Sequence, residues 1–168
     1  KEKEISVNGF EDKIKEFEQN GWTTMIISEN GKTLGIIAVA DALKDDSVDS
    51  IARLNQQGYK TVMVTGDNER TARAIANKVG IKEVIANVLP EDKVKIIREM
   101  KKNGMVAFVG DGINDAPALK ESNVGIAIGT GTDIAIEAGD IVLTTGSLRG
   151  VVSAINLSKA TFKKIKQN

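Results

Sequence analysis

Short apolar runs alternating with helical segments from about residue 41 onward predict an α/β fold, a parallel, doubly wound sheet with helices on both faces. Three observations carry that reading. The runs at 60–65, 105–109 and 124–128 are brief and each has an unalternating apolar centre, as suits strands covered on both faces. The segments between them repeat their apolar residues at helical spacing. Residues before about 41 differ in kind, with one helical segment and two β-rich runs flanking Asn30-Gly31, a strong signal for a two-residue hairpin turn.

The elements follow in order. Residues 9–20 predict a helix with Phe10, Ile14 and Phe17 on one face and Gly21 as its stop. Runs 22–28 and 32–40 form the hairpin. A helix at 45–57 turns Val48, Ile51 and Leu54 inward and ends at Gly58. Strand 60–65 feeds Gly66-Asp67-Asn68 and a helix carrying Ala72, Ile75, Ala76 and Val79. A short strand at 83–86 precedes Leu89-Pro90-Glu91-Asp92, where proline and acids suit a first helical turn. That helix, with Val94, Ile97 and Met100 inward, stops at Gly104. Strand 105–109, an aspartate loop, a short helix, strand 124–128, another short helix and strand 140–143 come next, and a long helix from about Ser147 closes the chain.

Composition narrows the chemistry. With 168 residues the chain fits one domain, or one domain with a small annex. Lys plus Arg and Asp plus Glu both total 23, so no global field argues for nucleic acid. Cysteine and histidine are absent, which removes disulfides, thiolate nucleophiles, imidazole bases and soft-metal ligands together. No apolar run approaches the ~20 residues of a membrane helix, so the sequence reads as a soluble piece. After Asp140 there is no acidic residue, while Arg149, Lys159, Lys163, Lys164 and Lys166 follow. This is either a solvated helix face or a basic segment facing an anionic membrane surface.

The densest chemistry lies in Gly110-Asp111-Gly112-Ile113-Asn114-Asp115-Ala116-Pro117, after an apolar strand. Ligands of open α/β sheets bind beyond the carboxyl ends of the strands. Asp111 and Asp115 offer hard oxygen ligands suited to Mg²⁺, though Asn114 or Asp115 can equally cap the helix that Pro117 starts. Thr65-Gly66-Asp67 also ends a strand and opens a helix, where N–H groups favour anions; its plainer role is a capped turn. Lys93 reads most plainly as a solvated helix-surface lysine, yet a cation in a first helical turn opposes the macrodipole, so helix stability does not explain it well. Gly129-Thr130-Gly131-Thr132-Asp133 has the look of a phosphate loop but completes no nucleotide fingerprint, and a turn suffices to explain it.

Taken together, a hydroxyl after one strand, a cation at the next helix start and paired aspartates after the following strand make a haloacid-dehalogenase-like set for phosphoryl transfer. The chain resembles the catalytic region of P-type cation ATPases. Thr65-Gly66-Asp67-Asn68, Leu89-Pro90-Glu91-Asp92-Lys93, Gly110 to Pro117, Val124-Gly125-Ile126-Ala127-Ile128-Gly129 and Gly139-Asp140-Ile141-Val142-Leu143 match that family's motifs in order. The ending Lys164-Ile165-Lys166-Gln167-Asn168 is most similar to the heavy-metal, copper-type subgroup.

The resemblance implies a haloacid-dehalogenase-like Rossmannoid sheet. Residues 1–40 would be the tail of a nucleotide-binding domain and 41–168 a phosphorylation domain lacking its first strand. It implies that Asp111 ligates Mg²⁺ with Asp115 in support, and that Thr65, Gly66, Lys93 and Asn114 hold the transferred phosphoryl group. Asp67 would brace the loop or approach the nucleotide, with ATP and Mg²⁺ as cofactors. The family's nucleophile, in Asp-Lys-Thr-Gly-Thr, does not occur in this sequence. Its strand would lie between 60–65 and 105–109, holding them ~9.6 Å apart, so another segment must supply it. The implied partners are the remaining nucleotide-binding domain, an actuator domain and membrane helices of an integral membrane pump whose cytoplasmic side this chain would occupy. A free-standing phosphatase or a non-catalytic module of the same fold are the alternatives.

Overall fold

The computed structural model describes residues 7, 9–40, 42–110, 114–129 and 137–167. The chain divides into two compact units, Lys1–Leu43 with Thr61–Asn87, and Lys44–Lys60 with Val88–Asn168.

In the first unit, helix α1 (Glu11–Gln19) leads to strands β1 (Thr23–Glu29) and β2 (Lys32–Val39), paired antiparallel from Thr23↔Val39 to Glu29↔Lys32. Asn30 and Gly31 have φ of 50° and 80°, the left-handed pair that lets a two-residue turn match the twist of its strands. The register slips after Ile27, where Leu34 is the extra residue of a bulge. Met25, Ile27, Ile37 and Val39 share one face of this ribbon and are all about half exposed.

Strand β3 (Val62–Val64), helix α3 (Glu69–Val79) and strand β4 (Glu83–Ile85) form a parallel crossover. Asn68 caps α3, its side-chain oxygen accepting from the backbone N–H of Arg70 and Thr71. Thr71, Ala72, Ala76 and Val79 line the buried face of α3. The end of α1 is tied to α3 by Arg70–Glu18 at 3.0 Å and by Lys78 donating to the Asn20 carbonyl at 2.6 Å. Phe17 stacks on Trp22, and the Trp22 carbonyl accepts from the Thr71 hydroxyl.

The second unit holds helix α2 (Ser47–Gln56), helix α4 (Pro90–Lys101), strand β5 (Ala107–Gly110), helix α5 (Ala116–Glu121), strands β6 (Val124–Ile128) and β7 (Ile141–Leu143), and helix α6 (Arg149–Gln167). Its strands are parallel in the order β5-β6-β7. Central β6 buries Gly125, Ile126 and Ala127. Ile97, Phe108, Ala118, Leu119, Ala127 and Ala138 make the core, drawn from α4, α5, two strands and the segment before β7.

Two expectations need correction. Strand 105–109 begins only at Ala107, and Met105 is 83% exposed. Val106 precedes the paired residues: its N–H donates to the Asn123 side chain, and only its carbonyl reaches the neighbouring segment, accepting from the N–H groups of Asn123 and Val124. In α2, Val48 points outward; the buried face is Ser47, Ser50, Ile51 and Leu54, a complete helical stripe one residue out of step with Val48. Helix α2 packs against α6. The parallel strands also form two ladders. Among the described residues β3 is bonded along one side only, to β4, and β5 only to β6. All three residues of β3 are only partly buried.

Candidate functional site

The loop after β3 is closed by its own side chains. The Thr65 hydroxyl donates to Asp67 Oδ2 at 2.9 Å, and the Asp67 N–H donates back to Thr65 Oγ1 at 3.1 Å. Asp67 Oδ1 accepts from the Thr23 hydroxyl at 3.2 Å, and the Asp67 carbonyl accepts from the N–H of Asn87. Asp67 therefore braces the loop, one of the two roles open to it. Asn68 is the cap of α3, and Gly66 lies between the two braced residues. Thr65 itself is fixed on the β4 ladder, its N–H donating to the Ile85 carbonyl at 3.0 Å.

The second cluster joins α4, β5 and the start of α5. Lys93 Nζ lies 2.6 Å from Asp115 Oδ1, with the two side chains 16% and 13% exposed. This resolves the puzzle of a cation in the first turn of α4, because a shielded carboxylate offsets the repulsion of the helix N-terminus. Asp115 occupies the N-cap position of α5 but makes no side-chain cap bond; its carboxylate is turned to Lys93 instead. Gly110, the last residue of β5, makes room for it. A Cβ there would fall 2.7 Å from Asp115 Oδ2 and 2.8 Å from its Cβ. Glycine at the strand end is thus what allows the carboxylate to lie against the backbone.

Asn114 is exposed immediately before Asp115. Asp111 lies outside the described residues, as do Thr130 to Asp133 of the glycine-threonine loop. Among the described residues no three His, Cys, Asp or Glu side chains gather as a metal cluster. The donor set on either side of Asp111 remains oxygen only, which suits a hard cation. Of the predicted residues, then, the structure joins Thr65 with Gly66 and Asp67 in one unit, and Lys93 with Asp115 in the other.

Sequence reasoning missed two supports. Thr23 reaches Asp67 from 44 positions away, and no local pattern announces it. Asp140 accepts from the N–H of Gly125 at 2.7 Å, holding β6 to the segment entering β7; the Gly139-Asp140 pair before an apolar run was the available signal.

A family model described as haloacid dehalogenase-like hydrolase matches residues 2–123. The chain belongs to that family. A second model of the same description matches residues 95–155 of this haloacid dehalogenase-like domain. The chain is 53% identical over 154 residues to a probable copper-exporting P-type ATPase of Mycobacterium tuberculosis, covering 91% of this chain and 20% of that protein. It is 51% identical over 156 residues to the copper-exporting P-type ATPase of Bacillus subtilis, covering 92% of this chain and 20% of the relative. The chain thus spans about a fifth of the length of the curated relatives it matches.

Among solved structures, a zinc-transporting PIB-type ATPase in its E2.Pi state superposes with a TM-score of 0.79 at 46% identity, over 96% of this chain and 27% of that one. The catalytic domain of a CPx-ATPase, studied for its changes on nucleotide binding, gives a TM-score of 0.61 at 31% identity, over 73% of this chain and 48% of its own. The haloacid dehalogenase-like fold expected from the motifs is therefore the fold of the chain.

Proposed function

We propose that this chain is the greater part of the phosphorylation domain of a copper-exporting P-type ATPase, residues 41–168, preceded by the tail of its nucleotide-binding domain, residues 1–40. The observation that carries the reading is the shielded Lys93–Asp115 pair at the end of β5, in a chain about half identical to copper-exporting pumps. The half-exposed apolar face of the β1–β2 ribbon also supports it, because such a face fits a larger sheet domain that would cover it.

In this reading the protein's work is positioning and charge neutralisation, which is most of what phosphoryl transfer demands. The Thr65 hydroxyl, aligned by Asp67, and the Gly66 N–H take phosphoryl oxygens. Lys93 supplies a cation and Asn114 an amide donor. Asp111 would hold Mg²⁺ with Asp115 in support; when bound, that ion neutralises phosphate charge. Asp115 has a double duty, since it also fixes the Lys93 ammonium until phosphate competes for it. The nucleophile would come from another segment, as would the actuator domain, the membrane helices and the rest of the ATP site. No helix among the described residues is long and apolar enough to cross a membrane, and the chain would lie on the cytoplasmic side of the pump.

The test is made on the complete reading frame, expressed in membrane vesicles and given labelled ATP. The expected result is a Cu⁺-dependent, acid-stable and hydroxylamine-sensitive label. Lys93→Ala and Asp111→Asn should each lower its turnover by about 10²-fold or more. Full activity in both variants, or a label that responds to Zn²⁺ and not to Cu⁺, would overturn the roles or the ion respectively.

A further inference from the structure

The turn between α1 and β1 is held closely against α3. The Trp22 N–H donates to the Phe17 carbonyl, and the Trp22 carbonyl accepts from the hydroxyl of fully buried Thr71 at 3.2 Å. Gly21, at φ 83°, brings the chain so near α3 that a Cβ there would meet Ile75 Cγ1 at 3.2 Å. Thr23 then opens β1 opposite Val39. Its backbone is therefore fixed from both sides, by the turn before it and the ladder beside it. From that placement the Thr23 hydroxyl donates to Asp67 Oδ1 at 3.2 Å.

This bond is not what docks the segment on α3. Arg70 with Glu18, Lys78 with the Asn20 carbonyl and Thr71 with the Trp22 carbonyl already do that along the helix. Thr23 goes further than these three ties, past the helix to the loop after β3. There it completes the bonds of Asp67. Oδ1 accepts from Thr23 and Oδ2 from the Thr65 hydroxyl at 2.9 Å, the N–H donates to Thr65 Oγ1 at 3.1 Å, and the carbonyl accepts from Asn87 at 2.8 Å. The Thr65 hydroxyl has one proton to donate, and it is already given to Asp67 Oδ2. A phosphoryl oxygen arriving at Thr65 must draw that proton away, while the Asp67 N–H keeps Oγ1 in place. A donor on Oδ1 takes part of the carboxylate charge and leaves less on Oδ2, so the proton turns more readily. It also keeps the carboxylate aligned with Thr65.

We propose that Thr23 is a positioning residue for phosphoryl transfer, holding Asp67 so that the Thr65 hydroxyl is set in place yet free to turn toward the phosphoryl group. The proposal rests on the reading of Thr65 as a phosphoryl ligand. Thr23 touches neither substrate nor reacting atoms and acts through Asp67. Because it stands at the start of the β1–β2 ribbon, the same bond ties that ribbon to the loop that receives phosphate.

The test uses the complete reading frame in membrane vesicles, given labelled ATP and read in single turnover. Thr23→Val keeps the β-branched shape that a strand favours and removes only the hydroxyl. It should slow formation of the acid-stable label about tenfold, while the half-saturating ATP concentration changes less than about twofold. Thr23→Ser should bring the rate back to within about threefold of the unaltered protein. In an Asp67→Ala background, Thr23→Val should slow the label by less than about twofold more, because it acts only through that carboxylate. Lys78→Met cuts a tie to α3 without touching Asp67 and should leave the rate unchanged. The role of Thr23 alone is overturned by an unaltered rate in Thr23→Val, or by a loss that falls on the half-saturating ATP concentration instead. The same holds for a serine variant that restores nothing, a full tenfold loss on top of Asp67→Ala, or an equal loss in Lys78→Met. An unaltered protein that forms no such label would overturn the phosphoryl-transfer reading and this proposal with it.

Discussion

Lys93 and Asp115 are each costly where they sit, one facing a helix N-terminus and the other drawn out of water. Together they are stable, because a 2.6 Å contact between shielded groups returns in charge-assisted hydrogen bonding much of what desolvation costs. The pair also explains Gly110, whose missing side chain is the space the carboxylate occupies. Lys93→Met should therefore destabilise the second unit by about 2 kcal/mol, less than the roughly 3–5 kcal/mol of a fully buried pair because some water reaches this one. Asp115→Asn should relieve much of that loss when combined with it. Denaturant midpoints of the two single variants and the double variant measure the coupling, expected at about 1–2 kcal/mol. Strict additivity would mean that the two charges do not depend on each other.

At the level of elements, α6 starts on a cap that its own sequence only half supplies. The Ser147 hydroxyl accepts from the Arg149 N–H at 3.2 Å, and Asp46, 101 residues earlier, accepts from both the Ser147 hydroxyl at 2.6 Å and the Arg149 N–H at 3.0 Å. Lys44 adds a bond to the Gly146 carbonyl. The Ser147 bond, then the Arg149 N–H, hold the Asp46 carboxyl below the ordinary aspartate range, against the opposing effect of burial. A group whose folded value is depressed stabilises the fold above its unfolded value, about pH 4, and loses that contribution as the pH falls through its folded value. Asp46→Asn should cost about 1 kcal/mol at pH 7 and flatten part of the acid limb of a stability–pH curve. An acid limb identical to that of the unaltered chain would remove Asp46 from the account. The elements themselves were legible because their signals are local: Asn30-Gly31 for the hairpin, Gly66-Asp67-Asn68 for the start of α3, Pro90 for the start of α4. Val48 and Met105 were misplaced because their positions follow from distant partners, α6 and Asn123, that no local periodicity encodes.

For the whole molecule, the order of the strand-end loops was written in the sequence, since each loop follows a strand and carries its own residue types. The bracing by Thr23 was not, nor the turning of Asp115 away from its cap, since both depend on groups brought together only by folding. The open ladder edges are where sequence and structure speak together. The sequence contains no Asp-Lys-Thr-Gly-Thr. Among the described residues β3 and β5 each carry a ladder on one side only, and β3 is only half covered, whereas β6, flanked on both sides, is buried. Apolar strands of a parallel sheet are stable when covered and paired on all sides, so the open sides are where a further strand would contribute most. Incubated alone with labelled ATP, these 168 residues should form no acid-stable, hydroxylamine-sensitive phosphoenzyme. Joining the parental segment that carries the nucleophile strand should add ladder bonds worth ~3 kcal/mol in total, raising the thermal midpoint by about 6–12 °C. Calorimetry of the chain with and without that segment reads the shift, and a midpoint that does not move would show that neither β3 nor β5 is waiting for a partner.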